Sequence, residues 1–228
     1  MNKMNVVSIS RLRTYTDGDG VSTLVGSMGC PLRCGYCLNP NTWDGSSKSK
    51  SMTVDELYER VKRDNIYFLA TSGGIVFGGG EPLLYSGFIS EFINKYRFTK
   101  WKFYLESSLS VELDSLRDVI DLIDCFYIDC KDMDRKRYEL YTKGDYELFI
   151  KNLMFLRDNV SEDKIRIRLP KISGFHKSNE VELSYKKLKD MGFKYIEIFD
   201  YIEDVEKIKE ISEIALENKK EFLERVME

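Results

Sequence analysis

The sequence predicts an α/β fold built on a parallel sheet. Two observations carry this reading. Short β-rich apolar runs alternate with longer amphipathic segments along the chain, and the runs are mostly apolar, as in strands buried on both faces. Candidate strands cover residues 22–27, 75–78, 101–106, 125–129, 165–169 and 195–199. Strand–helix units in series imply right-handed crossovers between parallel strands. Two architectures satisfy the pattern, an open doubly wound sheet and a curved, incomplete barrel of six βα units. Both place ligands at the C-terminal ends of the strands.

The first helix opens at Thr53-Val54-Asp55-Glu56. This is a capping box, in which the Thr hydroxyl accepts from an early backbone N–H and Glu56 reaches back. Leu57, Tyr58, Val61, Phe68 and Leu69 then recur on one face. Further helices are expected over 88–96, 113–123, 135–141, 146–159, 178–191 and 205–226. The last sets Val205, Ile208, Ile211, Ile214 and Ala215 against a Glu/Lys face. It is expected to be a covering helix from about 204 to 226, its charge run being the wet side. The polar stretch at 46–51 is too short to divide domains, so residues 1–228 are expected to form one domain.

Composition narrows the function classes. The chain has 228 residues, 43% hydrophobic and 32% charged, as in an ordinary globular protein with a full core. Its formal net charge of −3 gives no overall drive toward nucleic acid or anionic membrane. The basic runs at 135–137 and 166–171 are short, and suit a solvated surface or one small anionic group. No apolar stretch approaches the ~18 residues of a membrane span. The N-terminal residues lack an apolar core followed by a small-residue cleavage site. A cytoplasmic protein is expected. The single histidine, His176, excludes catalytic centres needing several, and its polar context (GFHKSNE) predicts a solvent-exposed loop position.

Five cysteines, three of them crowded together, do not resemble a secreted disulfide framework. The crowded three are Cys30, Cys34 and Cys37, within GCPLRCGYCLNPNTWD at 29–44, just past the first predicted strand. Thiolates suit zinc or iron–sulfur clusters. Structural zinc usually takes two separated ligand pairs, and this chain offers no second pair. Cys125 and Cys130 lie on or beside an apolar strand and are expected to be small core residues. Three cysteines on a tight loop can instead wrap three corners of a [4Fe–4S] cluster, leaving one iron open to an exogenous ligand.

The C-x₃-C-x-Y-C pattern resembles the signature of the radical S-adenosylmethionine (SAM) superfamily. Gly79-Gly80-Glu81-Pro82, after the 75–78 strand, resembles that family's GGEP motif. Asn39, Thr42, Trp43 and Asp44 resemble the glycyl radical enzyme activating enzymes, such as those of pyruvate formate-lyase and of anaerobic ribonucleotide reductase. So do Asp17-Gly18-Asp19-Gly20-Val21, Ile128-Asp129-Cys130-Lys131, and Ile167-Arg168 followed by Ser173-Gly174-Phe175. The resemblance runs from about residue 17 to residue 200. Three departures stand out. Glu106-Ser107-Ser108-Leu109 replaces a D-T-N-G motif, no histidine follows the sixth predicted strand, and the cysteine-rich insert of many activating enzymes is absent.

The resemblance implies a partial (β/α)₆, TIM-like barrel in a single domain. It implies a [4Fe–4S] cluster on Cys30, Cys34 and Cys37, whose open iron binds SAM. Tyr36, Leu38, Gly79, Gly80, Glu81, Glu106, Ser107, Asp129, Lys131 and Arg168 are the implied cofactor-binding residues. A monovalent cation is implied beside the third and fourth strand ends. The implied chemistry is reductive cleavage of SAM to a 5′-deoxyadenosyl radical, which takes a hydrogen atom from a backbone glycine of a partner enzyme. A glycyl radical enzyme and a flavodoxin- or ferredoxin-type electron donor are therefore the implied partners. Two alternatives stand beside it. One is a radical SAM enzyme acting on a peptide, nucleotide or small metabolite. The other is a non-catalytic zinc or iron–sulfur protein, which leaves the GGEP-like loop, Asp129 and Lys131 unexplained.

Overall fold

A computed structural model describes residues 2–14, 17–43, 45, 48–177 and 179–201. Among these residues one eight-stranded sheet runs in the order β3-β1-β2-β4-β5-β6-β7-β8. Six strands are parallel: β2 (Ser22–Ser27), β4 (Gly74–Gly79), β5 (Lys102–Ser107), β6 (Cys125–Asp129), β7 (Ile165–Ile172) and β8 (Ile196–Tyr201). They are neighbours in sequence order, with no point at which the winding reverses. A doubly wound sheet needs such a reversal. The fold is therefore the partial barrel, an arc of parallel strands curling as in a (β/α)₈ barrel.

Two strands escape the predicted pattern. β1 (Lys3–Arg13) pairs antiparallel with both β2 and β3 (Lys50–Thr53). Register shifts between Val6 and Ser8, and between Ser10 and Arg13, break the period of two along β1. β3 has four residues, two of them exposed. Neither gives the alternation that marks a strand in sequence.

The helices follow the sequence with two corrections. The capping box forms: Glu56 N donates to Thr53 Oγ1 at 3.2 Å, and Thr53 N donates to Glu56 Oε2 at 2.9 Å. The helix it starts does not run to residue 69. α1 (Val54–Val61) gives way to a 3₁₀ turn (Lys62–Asp64) and then α2 (Asn65–Thr71). Asp64 is fully buried there, accepting from Thr23 Oγ1 at 2.8 Å and Arg11 Nε at 2.9 Å. Turning that carboxylate inward interrupts the helix and shifts its phase, so Leu69 is 52% exposed rather than core. α4 (Leu113–Arg117) also stops short of residue 123, the chain continuing in turns that still bury Val119 and Ile123. α3 (Ser86–Tyr96), α5 (Arg135–Thr142), α6 (Tyr146–Asn159) and α7 (Glu180–Asp190) stand close to where periodicity sets them. The expected covering helix at about 204–226 lies outside the described residues. No helix among the described residues is long and apolar enough to cross a membrane.

The sheet's two faces divide the chemistry. Val25, Ile75, Phe77, Phe103, Leu105, Phe126, Ile128 and Ile167 face outward onto helix residues such as Leu57, Phe92, Leu153 and Leu188. Burying one such large side chain contributes ~1.5–3 kcal/mol, so this layer fixes the scaffold. The inward face starts with Val76, Tyr104 and Cys125. Further along those strands it becomes polar, with Glu106 two residues past Tyr104 on β5 and Asp129 four residues past Cys125 on β6, the latter in register with Arg168 on β7. An apolar lower half thus carries charged groups toward the C-terminal strand ends.

Candidate functional site

The cysteine loop leaves the end of β2 and is tied down on three sides. At its start, Met28 N donates to Asn5 O (2.9 Å) and Gly29 N to Thr42 O (2.6 Å), closing the loop on itself. At its middle, Arg33 N donates to Thr142 O at 2.8 Å and Gly35 N to Tyr141 O at 3.0 Å. These carbonyls are among the last four of α5, which have no partner inside the helix. The loop and the helix end satisfy each other. Arg33 also donates to Cys30 O (2.7 Å) and Leu32 O (2.8 Å), while its guanidinium lies 5.3 Å from the Trp43 ring centroid.

Cys34 is buried, and Cys30 and Cys37 are half-buried. Burial pushes the Cys30 thiol up to about 12 and raises Cys34 and Cys37 as well, while the Lys131 ammonium pulls all three back down. The Cys37 sulfur accepts from Asn39 N at 3.3 Å and from the Trp43 side chain. Donors aimed at sulfur suit a thiolate ligand, and such contacts tune metal centres. Among the described residues, no three His, Cys, Asp or Glu side chains converge on one metal-ion position.

The Gly79-Gly80-Glu81 turn lies directly on this loop. Gly80 N donates to Ser27 O (3.0 Å) and Glu81 N to Gly29 O (2.7 Å), so the ends of β4 and β2 are joined. Gly79 has φ +92°, a left-handed conformation that favours glycine. A Cβ on Gly80 would stand 2.2 Å from Gly29 O. The Glu81 carboxylate then reaches the end of β5. It accepts from Ser107 Oγ (2.8 Å), Ser108 Oγ (2.7 Å), Ser108 N (2.9 Å) and Leu83 N (3.2 Å). Burial pushes its carboxyl up against those four bonds. Glu81 braces three strand ends.

Inside the barrel a charge network spans β5, β6 and β7. Asp129 accepts from Arg168 Nε at 2.8 Å and from Lys131 Nζ at 3.1 Å, and Arg168 donates to Glu106 Oε1 at 2.8 Å. Burial alone would raise Asp129, but the charges of Lys131 and Arg168 overcome it and hold the carboxyl at about 2. Glu106 goes the other way. Burial pushes it up to about 7 against the pull of Arg168, helped by a hydrogen bond with Asp17. Two carboxyl groups in contact cannot both ionise cheaply.

A pH dependence follows. With its folded value at about 7 and an ordinary value of 4.5, Glu106 binds more protons in the folded than in the unfolded chain between those limits. Its contribution to stability therefore falls as pH rises through that window. Urea midpoints at pH 5 and pH 8 should show a larger loss for the wild type than for Glu106→Gln. Equal losses would contradict the assigned environment.

Most residues singled out in the sequence lie along one connected surface. Tyr36 is buried against Tyr141, Phe175 and Tyr201. Gly79, Gly80, Glu81, Ser107, Glu106, Asp129, Lys131 and Arg168 continue from the cysteine loop across the strand ends. Leu38 does not join the buried group, being 66% exposed. Glu106 is held by Arg168, and Ser107 donates to Glu81; no observation supports a monovalent cation beside them. The basic run at 166–171 is not uniformly surface, because Arg168 points into the barrel. Cys125 and Cys130 are buried, as expected of core residues.

Three contributors were not among the site residues expected from the sequence. Ser108 supplies two of the four bonds to Glu81, but nothing local marks a serine as a brace. The Tyr201 hydroxyl donates to Tyr36 O, a contact between residues far apart in sequence. Asp17 is 3% exposed, pairs with Arg13 and stands 4.0 Å from Arg168; its D-G-D-G setting was the available signal. His176 is a plain correction. Its side chain is only 3% exposed, enclosed by Asp132 and Phe175, because the polar residues around it turn outward while the ring turns in.

A partial barrel whose C-terminal strand ends carry a three-thiol loop, a Gly-Gly-Glu turn and a buried charge network defines a class of cofactor-using α/β enzymes. The model of the Radical SAM superfamily matches residues 24–176, and the chain belongs to that family. It is an enzyme of the radical SAM class, similar to glycyl radical enzyme activating enzymes. It is 25% identical to the 4-hydroxyphenylacetate decarboxylase activating enzyme of Clostridioides difficile (strain CD196), over 285 aligned positions covering 89% of this chain and 90% of that protein. Against the pyruvate formate-lyase-activating enzyme of Staphylococcus aureus (strain USA300) it is 41% identical over 91 residues, 40% of this chain and 36% of the relative. Among solved structures, Streptococcus suis SuiB bound to S-adenosylmethionine superposes with a TM-score of 0.60 at 14% identity over 79% of this chain. The chain spans 40% of SuiB's length, and this likeness concerns the fold alone. The superfamily implies a [4Fe–4S] cluster and SAM. The donor set here fits them: soft ligands on one loop, with donors aimed at the Cys37 sulfur.

Proposed function

We propose that this chain is a glycyl radical enzyme activating enzyme that reductively cleaves SAM and installs a radical on a backbone glycine of a partner enzyme. The observation that supports it most is the cysteine loop. It offers three thiols, and a Gly-Gly turn is hydrogen-bonded to the same loop at Gly29. Cys30, Cys34 and Cys37 would hold three irons of the cluster, and the backbone of Gly79 and Gly80 with Tyr36 would receive SAM. When bound, the reduced cluster and SAM supply one electron to the sulfonium and, from the broken S–C5′ bond, methionine and a carbon radical that takes one hydrogen atom.

The protein's own groups do the remaining work. Lys131 offsets thiolate charge beside Cys34, and Asn39 and Trp43 donate to Cys37. Arg168, held between Glu106 and Asp129, is a fixed cation on the barrel wall for orienting anionic or polar groups. Below it, Tyr127 Oη accepts from Gly18 N at 2.8 Å and Tyr104 Oη accepts from Asp19 N at 3.1 Å. These bonds pin the 17–20 loop to the inward-facing tyrosines of β5 and β6. The partner is a glycyl radical enzyme, and a flavodoxin- or ferredoxin-type protein supplies the electron.

Anaerobic reconstitution, reduction and addition of SAM with a candidate partner should yield 5′-deoxyadenosine and a glycyl radical signal in electron paramagnetic resonance. Deoxyadenosine without that signal, beside a modified small molecule or peptide, would move the substrate to another class. Zinc without iron or sulfide in the purified protein would remove the radical reading altogether.

A further inference from the structure

We propose that His176 is a positioning residue: it locks the turn after β7 so that Phe175 supports Tyr36, and thereby sets how the cysteine loop presents SAM. The proposal rests on the functional reading above. The turn is closed from both sides of the histidine. His176 N donates to Ile172 O, and Ile172 N donates to His176 Nδ1, each at 3.0 Å. An Nδ1 that accepts leaves the ring proton on Nε2, which faces Asp132 Oδ2 at 3.3 Å.

Asp132 is a rigid anchor. It is 1% exposed and accepts from Arg137 Nε (2.7 Å), Asp134 N (2.7 Å) and Ser184 Oγ (3.0 Å), which ties it to α5 and α7. Burial would raise its carboxyl, but the bonds from His176 and Arg137 keep it below the usual range. Ser173 and Gly174 are exposed, and nothing lies within 4 Å of a Cβ built on Gly174. The side chains entering the interior are Phe175 and His176. Phe175 lies 4.7 Å from the His176 ring, 5.7 Å from Tyr141 and 6.5 Å from Tyr36, between ring centroids. Tyr141 O in turn accepts from Gly35 N in the cysteine loop. The route from Asp132 through His176 and Phe175 therefore ends on the residue just before Cys37. His176 acts through Phe175, so its loss should loosen SAM binding more than it slows chemistry at saturation.

The test uses the whole chain. In the apo protein, ¹⁵N NMR of the single histidine reports its tautomer directly, and the Nε2–H form is expected. In the anaerobic, reconstituted enzyme, His176→Phe keeps a ring and removes both bonds. It should raise the KM for SAM about tenfold and leave kcat within about twofold. His176→Asn keeps an acceptor near the Nδ1 position and His176→Gln a donor near the Nε2 position, so each should recover part of the loss. An unchanged KM in the Phe variant, or a fall in kcat with KM unmoved, would overturn the proposal, as would an Nδ1–H tautomer. If His176→Phe does not fold, the Asn and Gln variants decide by the same split. A wild-type enzyme that never cleaves SAM overturns the functional reading and this proposal together. Cleavage by the wild type with unaltered variants overturns this proposal alone.

Discussion

Cys30→Ala, Cys34→Ala and Cys37→Ala are each expected to bring 5′-deoxyadenosine formation below detection. Losing a partner of a metal ligand already costs about 10–100-fold, and losing the ligand itself removes a corner of the cluster. Compensation from nearby is absent among the described residues, since Cys125 and Cys130 are enclosed elsewhere in the core. Cys125→Ala is the contrasting variant. Cys125 packs with Val76 and Tyr104 on the apolar half of the barrel's inward face, so removing its sulfur should destabilise by about 1 kcal/mol and spare SAM cleavage. Iron and sulfide content after anaerobic reconstitution, with deoxyadenosine measured by chromatography, separates the two classes. A Cys34→Ala enzyme that still made deoxyadenosine would disprove the cluster assignment.

The same variants show why parts of this molecule were legible before the structure and others were not. The six parallel strands and the cysteine loop are written locally. A strand packed on both faces is mostly apolar, and ligand thiols on one loop must be near neighbours in the chain. β1 and β3 are written non-locally. β1 gains its place by pairing with β2 and β3, while its bulges erase its own alternation. The break between α1 and α2 has the same origin, because Asp64 is turned inward by Thr23 and Arg11, more than forty positions away in sequence.

The site divides along the same line. Cysteines, glycines and strand-end charges declare themselves by type and spacing, and the family resemblance extends over them. What joins them does not. Glu81 needs Ser107 and Ser108 from the next strand end, Tyr36 needs Tyr201 from the last, and His176 needs Asp132 from the end of β6. His176 misleads for a clear reason. Its neighbours in sequence are polar and face water, whereas its partner in space is a buried carboxylate that gives the imidazole a reason to be inside. Bonds of this kind fix the placement of chemical groups to fractions of an ångström, and a single sequence carries no mark of them.

Gly80→Ala tests whether that placement matters as much as the ligands do. A Cβ at this position would stand 2.2 Å from Gly29 O and 2.9 Å from Ser27 O, both backbone atoms that cannot swing aside. Gly29 O also accepts from Glu81 N, and Ser27 O from Gly80 N. Relieving the overlap therefore separates the β4 turn from the cysteine loop and strains the bonds that join them. Overpacking of this sort costs about 1–3 kcal/mol, and the displacement falls where SAM is expected to sit. Gly80→Ala should lower the thermal midpoint and weaken SAM binding by more than about tenfold, since misplacement by an ångström can cost about a hundredfold. Gly87→Ala is the matched control. Gly87 lies in the first turn of α3, and a Cβ there meets only the Asn2 side chain, at 3.4 Å. Alanine suits a helix better than glycine by up to about 1 kcal/mol, so that variant should be as stable as the wild type or slightly more so, with SAM binding unchanged. Equal behaviour of the two variants would mean that the contact between the two loops does not set the cofactor site.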